Sequence, residues 1–383
     1  MIKIPATEFA RRRDQLMVRM GANSIAIIPA AREQIRSRDT HFPFRQDSDF
    51  WYLTGFPEPD AVAVLVPGRS HGAFVLFCRD RDPEMETWHG RRFGPEGAKA
   101  RFGADDAFPI DDIDEILPGL IEGRDKIFYA LGADAEFDNQ VIGWVKRLRA
   151  KVRQGALPVG EMIDIRHILH EMRLFKSAAE IKIMRHVAKI TAEAHKAAMQ
   201  KTQPGRFEWE IEAEIKYRFA LAGARFEAYS SIVAGGDNAT ILHYTENQDR
   251  LRKGDLLLVD AGAEYQGYAA DITRTWPISG RFSRLQKRAY EWVLRAQQAA
   301  INEVRPGSDW SQPHQAAVEV LTEGMVDLGL LKGRVSTLVK KGAYRQYYMH
   351  KTGHWLGLDV HDVGDYQVDG QPRLLEPGMV MTV

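Results

Sequence analysis

Between Ser177 and Val383 a plan of two amphipathic helices followed by strands occurs twice, so this part of the chain is expected to fold as two related halves. Ser177-Ala-Ala-Glu180 is a capping-box pattern that predicts a long helix, with Ile181, Met184, Ala188, Thr191 and Ala198 as its apolar stripe. The chain turns at Pro204-Gly205, and a second helix runs through Ile211, Ile215 and Phe219 to Gly223, which suits a C-cap. Ser283 then opens a helix containing Ala289, Trp292, Val293 and Ala296. Pro306-Gly307 repeats the turn, and Gly329 ends the helix after it. The Pro-Gly pairs lie 102 positions apart and Trp209 and Trp310 lie 101 apart, which pairs the two tryptophans. The alternative is chance likeness between amphipathic helices.

Inside the first half, Leu256-Leu-Leu-Val-Asp260 and Asp271-Ile-Thr-Arg-Thr275 read as two strands around a tight turn. A turn at Tyr265-Gln266 sets Asp260 directly opposite Asp271 on an antiparallel ladder. Such partners share a face, with Cβ atoms roughly 4.5–5.5 Å apart. Two carboxylates held that close repel unless a proton or a metal lies between them.

Four histidines flank these strands: His243, His350, His354 and His361. His350 and His354 have the spacing of a helical zinc motif, but Lys351 replaces its glutamate and Thr352-Gly353 opposes a helix. Any one of these histidines alone is more often a structural hydrogen-bonding group. Four beside a carboxylate pair point to chemistry. His243 precedes Gly254 much as His361 precedes Gly378, so the two are expected to be related by the duplication. Several oxygen ligands with one imidazole favour Mn²⁺ or a similar ion. Two ions about 3.5–4 Å apart could share a hydroxide and polarise a carbonyl, with free histidines handling protons. That describes metal-assisted hydrolysis of an amide.

The preceding part alternates helix and strand signals: a helix over Glu8–Met20, and apolar strands at Ser24–Pro29, Ala61–Val66, Ala73–Phe77 and Lys126–Leu131. A chain of 383 residues exceeds one ordinary core, and the boundary falls near Leu174, giving residues 1–174 as an α/β domain and 175–383 as the duplicated one. Lysine plus arginine balances aspartate plus glutamate at 52 each, which removes a global nucleic-acid footprint. Arg11-Arg12-Arg13 reads as the solvated face of the first helix. The single Cys78 lies in an apolar run as a small hydrophobe, and fits a reducing compartment. No secretory signal and no membrane-length apolar window appear, so a cytoplasmic protein is expected, with no membrane partner.

His243-Tyr-Thr-Glu-Asn247, Val259-Asp-Ala-Gly262, Tyr268-Ala-Ala-Asp-Ile-Thr-Arg-Thr275 and Gly353-His-Trp-Leu-Gly-Leu-Asp-Val-His-Asp-Val-Gly364 closely resemble the long bacterial form of Xaa-Pro aminopeptidase. Pro43–Asp60 and Trp88-His-Gly-Arg-Arg92 resemble its first domain, so the likeness spans essentially the whole chain. The resemblance implies an α+β protein, with a creatinase/prolidase-like N-terminal α/β domain followed by a pseudo-twofold pita-bread domain. It implies a dinuclear manganese site that removes an N-terminal residue when proline follows. Carried over by motif, Asp260, Asp271 and His354 bind metal, with Asp271 bridging. His243 and His361 contact the substrate and assist collapse of the tetrahedral intermediate, with His350 close by. Tyr229 and Tyr366 are implied pocket residues, and Asp39 or Trp88 completes a site in a neighbouring subunit of a homo-oligomer, a dimer or tetramer.

In the family pattern two glutamate ligands follow. Six beyond Gly378, the position matching Asp260, falls at 384, one past the last residue given. A pita-bread domain incomplete at its C-terminus is therefore expected, with metal held weakly or not at all, little peptidase activity and an unpaired sheet edge. Two other readings stand beside this one: a prolidase-like Xaa-Pro dipeptidase, and a metal-free pita-bread module that binds peptides.

Overall fold

Short apolar segments separated by helices can bury both faces only in a covered sheet, and that is how the N-terminal region is built. A computed structural model describes residues 2–383, which divide into two units, Lys3–Met172 and Arg173–Val383. In the first, strands β1 (Ser24–Pro29), β2 (Val62–Leu65), β3 (Phe74–Cys78), β4 (Asp106–Pro109), β5 (Lys126–Phe128) and β6 (Glu161–Ile163) form one sheet in the order β4-β3-β2-β1-β5-β6. The β1–β2 and β2–β3 pairs are antiparallel and the other three parallel. Ile25, Ile27, Val64, Val75 and Phe77 pack in the core with Leu117, Val141 and Trp144. Cys78 is fully buried, and burial pushes its thiol up to about 12.

Two arginines of the first helix, α1 (Ala6–Met20), overturn the expectation of a solvated basic face. Arg12 is buried, with its guanidinium 4.1 Å from the Tyr52 ring centroid and donating to the Tyr52 carbonyl at 2.9 Å. Arg13 is buried against Phe74 and donates to the Leu53 carbonyl at 2.9 Å. Both carbonyls belong to the last turn of the helix Ser48–Thr54, where backbone acceptors lack intrahelical donors. Burial lowers the Arg13 guanidinium to about 10, and Arg12 Nε lies 3.3 Å from Glu8 Oε1, so both arginines are spent inside the unit.

The C-terminal unit opens with α2 (Ala178–Lys201) and α3 (Glu208–Leu221), and later repeats them as α4 (Arg284–Glu303) and α5 (Gln312–Asp327). Ser177 and Ser283 each close a capping box, with Glu180 and Gln286. The buried stripe of α2 runs through Ile183, Met184, Val187, Ile190, Thr191, Ala194 and Ala198. Ala188 is exposed, so the expected stripe is rotated where Ile183 and Val187 supply more apolar area.

The duplication appears in the backbone. Gly205 N–H donates to the Leu251 carbonyl at 2.8 Å and Leu251 N–H to Arg206 at 2.7 Å. In the second half Gly307 donates to Leu375 at 3.0 Å and Leu375 to Ser308 at 2.7 Å. Glu208 N–H meets Asp249 as Trp310 N–H meets Arg373. Trp310 therefore stands where Glu208 does, and the pairing of Trp310 with Trp209 is wrong by one position. Trp209 instead stacks on Phe207 and is half exposed.

Between the helix pairs lie β7 (Phe226–Glu227), β8 (Ile232–Gly235), β9 (Leu256–Ala261), β10 (Ala263–Tyr265), β11 (Tyr268–Ala269) and β12 (Ile272–Pro277). They form two antiparallel sheets, β8-β9-β12 and β11-β10-β7.

Candidate metal centre

The turn between the two aspartates falls at Gln266-Gly267, not Tyr265-Gln266. Both residues have positive φ, 55° and 81°, as a two-residue hairpin turn of right-handed strands requires. Tyr265 pairs with Tyr268, and Asp260 pairs with Thr273 rather than with Asp271. The slip is two residues, an even number, so Asp271 stays on the face of Asp260 as a diagonal neighbour.

Gly262 makes the crowding around them feasible. A Cβ there would stand 1.7 Å from the Ala270 carbonyl oxygen and 2.9 Å from the Tyr229 ring. Its own carbonyl accepts from Ala228 N–H at 2.8 Å, which draws the Tyr229 segment over the two aspartates. Tyr229 Oη lies 2.5 Å from Asp260 Oδ1 and 3.1 Å from Asp271 Oδ1. One phenol carries one proton and cannot donate fully to both. Burial, then the charges of Asp260 and Asp271, push the phenol far up, so it remains a donor. Burial also raises the Asp260 carboxyl; the Tyr229 hydrogen bond opposes this and the Asp271 charge adds to it.

His354 closes the other side. Its Nδ1 lies 2.9 Å from the Trp355 carbonyl, which fixes Nδ1–H as donor and turns Nε2 toward Asp271 Oδ2 at 3.0 Å. Burial works against charge on this ring, but the hydrogen bonds to Asp271 and the Trp355 carbonyl outweigh it and raise its affinity for a proton. A nitrogen that faces a carboxylate only when protonated is one where a cation can replace the proton. Gly353 permits the local backbone packing: a Cβ there would meet the Thr382 carbonyl oxygen at 2.0 Å, and Thr382 N–H donates to His354 at 2.9 Å.

The His361 ring stands perpendicular to His354, centroids 4.4 Å apart. Burial first, then the His354 charge, lowers its proton affinity; the charge of His243 acts on it in the same sense. His243 is exposed, but its neighbours are fixed. Tyr244 Oη donates to Glu208 Oε2 at 2.7 Å, and Asn247 accepts from Val233 N–H at 2.9 Å and donates to the Ser231 carbonyl at 2.8 Å. Glu208, fully buried, also accepts from Gly235 and Asp249 N–H groups at 2.7 and 2.8 Å.

The structure thus brings Tyr229, Asp260, Asp271, His354 and His361 together, with His243 near His361. His350 is exposed, packs on the Tyr348 ring and turns its Nδ1 to the Lys351 carbonyl. Tyr366 stacks parallel to Trp355 and against Trp310, its hydroxyl accepts from Trp355 N–H at 3.3 Å, and 38% of its surface stays exposed. Asp39 and Trp88 belong to the N-terminal unit, exposed at a hairpin turn and near the end of a short helix. Sequence reasoning missed Glu208, Arg173, Lys176 and Asp362, the buried charges behind the site. Four charged residues in apolar surroundings were the signal available.

Among the described residues, no three His, Cys, Asp or Glu side chains are already arranged to grip an ion. The donor chemistry nevertheless fits one: two carboxylates competing for a single phenolic proton, and an imidazole nitrogen aimed at one of them.

Residues 182–383 match metallopeptidase family M24, and residues 9–129 match the aminopeptidase P N-terminal domain. The chain is 46% identical to the Xaa-Pro aminopeptidase of Escherichia coli, covering all of this chain and 87% of that protein. Similar solved structures include Pseudomonas aeruginosa aminopeptidase PepP, at 56% identity and TM-score 0.99, covering 100% of this chain and 86% of that one. Zinc-substituted E. coli aminopeptidase P in complex with product matches at 45% identity and TM-score 0.96, over 99% and 86% of the two chains.

Proposed function

The chain belongs to metallopeptidase family M24 and, within it, to the Xaa-Pro aminopeptidases of pita-bread fold, and from that premise we propose how its own residues perform the reaction. The activity is metal-dependent hydrolysis that frees the first residue of a peptide when proline is second. The observation that carries the site assignment is the convergence of Asp260 and Asp271 on one hydroxyl, with His354 against the second oxygen of Asp271.

Asp260, Asp271 and His354 would hold divalent metal, with Asp271 between the Tyr229 and His354 sides of the site. Mn²⁺ suits this oxygen-rich donor set. Bound metal would supply a nucleophile from water at neutral pH and polarise the scissile carbonyl. Tyr229 orients Asp260 through its hydrogen bond, and the Trp355 carbonyl holds the His354 tautomer that leaves Nε2 for the metal. His361, whose proton affinity burial and the His354 charge lower, hydrogen-bonds the reacting amide and relays a proton as the tetrahedral intermediate collapses; His243 contacts the same substrate segment. His350 is assigned a place among the catalytic histidines, Tyr366 a pocket contact, and Asp39 and Trp88 substrate contacts in a homo-oligomer. No described helix is long and apolar enough to cross a membrane.

The assignment is tested with three substrates, a Xaa-Pro-Xaa peptide, its Xaa-Ala-Xaa counterpart and a Xaa-Pro dipeptide, with products identified by mass. Release of the first residue from the proline tripeptide, in strong preference to the other two, is expected. Preference for the dipeptide would replace this reading with a prolidase-type one.

A further inference from the structure

A tight loop separates His354 from His361. Asp362 N–H donates to the Trp355 carbonyl at 3.0 Å and Gly357 N–H to that of Asp359 at 3.1 Å. Ala269 N–H donates to Gly357 at 2.8 Å, tying the loop to the segment that leads into Asp271. The carboxylate of Asp362 fills the loop's interior, its side chain 1% exposed. It accepts from Lys176 Nζ at 2.8 Å and from Arg173 Nη2 at 2.6 Å, and the same Arg173 nitrogen reaches Asp359 at 2.7 Å. Position 357 must be glycine for this, because a Cβ there would lie 2.1 Å from Asp362 Oδ2 and 2.9 Å from Lys176 Cε. Lys176 is anchored in turn, its N–H donating to the Gly378 carbonyl at 2.8 Å.

Two cations and two carboxylates, three of the four buried, are a poor way to gain stability, since desolvation offsets most of their attraction. Their geometric effect is specific: a charge-assisted clamp at one point of a loop that carries a histidine on each side. We propose that Asp362, gripped by Lys176 and Arg173, is a positioning residue that holds His361 perpendicular to His354. The inference rests on the reading above, in which His361 works on the substrate.

Asp362→Asn leaves two buried cations short of charge and risks unfolding. The working variant is therefore Lys176→Met, which keeps the stem and removes one charge; Lys176→Arg is its conservative control. Asp359→Asn, at the part-exposed carboxylate, is the milder second variant. The protein is labelled at histidine ring carbons, and the His361 signal is identified by its loss in His361→Ala. In metal-free protein, Lys176→Met should shift that signal, Asp359→Asn should shift it less, and Lys176→Arg should restore it.

With a Xaa-Pro-Xaa peptide, Lys176→Met should lower kcat by about thirtyfold with KM within about threefold of wild type. In a His361→Ala background the same substitution should change kcat by no more than about twofold. A purely structural role predicts otherwise: a lower Tm, an unmoved His361 signal, and losses that multiply in the double variant. Those results would overturn the proposal. If wild-type protein does not cleave the peptide, the functional reading fails while the ring signal still judges the clamp.

Discussion

In the first half of the C-terminal unit, Asp260 sits on a strand paired on both sides, opposite Ile232 on one ladder and Thr273 on the other. In the second half, His354 lies on a short pairing with residues 380–382: Thr382 N–H donates to the His354 carbonyl, Trp355 bridges Met381, and Leu356 N–H donates to the Val380 carbonyl at 3.0 Å. The first arrangement aims side chains with backbone hydrogen bonds, and a buried carboxylate, Glu208, secures the adjoining loop by accepting N–H and O–H groups. The second adds buried ion pairs to its short pairing, with Asp362 between Lys176 and Arg173. The halves share helix caps and Pro-Gly turns but differ in what fixes their functional residues. One duplicated scaffold can therefore place carboxylates by ladder register and imidazoles by side-chain charge.

The sharpest way to break this comparison is at the residue that spans both halves. Asp271 meets Tyr229 on one side and His354 on the other. Asp271→Ala should lower kcat/KM on a Xaa-Pro-Xaa peptide by roughly a thousandfold or more, because losing the proposed metal ligand would forfeit several kcal/mol of transition-state stabilisation. Far-UV circular dichroism should remain that of wild type.

Next come the two close-approach glycines, one in each half. Gly262→Ala should cost about 3 kcal/mol or more in urea unfolding, because a ladder on both sides blocks relief of the clash. Gly353→Ala, beside the shorter pairing with residues 380–382, should cost about half as much. Equal losses would mean that the two halves are equally rigid.

Glu208→Gln probes the first-half anchor. One oxygen becomes a donor facing N–H groups, so unfolding should cost about 2 kcal/mol, with kcat falling less than in Lys176→Met. The smallest effect concerns His195, buried on α2 with its Nδ1 at the Thr191 carbonyl. Burial, then the charge of Arg274, holds its proton affinity below the ordinary value of 6.5. The unfolded chain therefore takes up this proton first. Its contribution to stability is complete above the ordinary value and declines as pH falls through it toward the lower folded value. Between about pH 7.5 and about pH 5, His195→Gln should show a shallower loss of Tm than wild type; parallel slopes would contradict this.

What could be read beforehand follows from the range of each interaction. Asp260, Asp271, His354, His361 and His243 lie in short motifs, and their grouping follows from local pattern. The register was misplaced by two because positive φ at Gln266 is unusual for a residue with a Cβ. The even slip left the face unchanged. Arg12 and Arg13 were misjudged because the carbonyls they satisfy lie 40 residues away. Lys176 and Asp362 are 186 apart, and neither local pattern nor charge balance pairs residues over that distance.

The most direct test of the account is calorimetric titration of metal-stripped protein with Mn²⁺, in wild type and in Asp271→Ala. Saturable binding in wild type that is abolished or greatly weakened in Asp271→Ala, with release of the first residue only from metal-loaded protein, is the predicted result. Equal binding in the two proteins, or peptide cleavage that survives chelation, would contradict it.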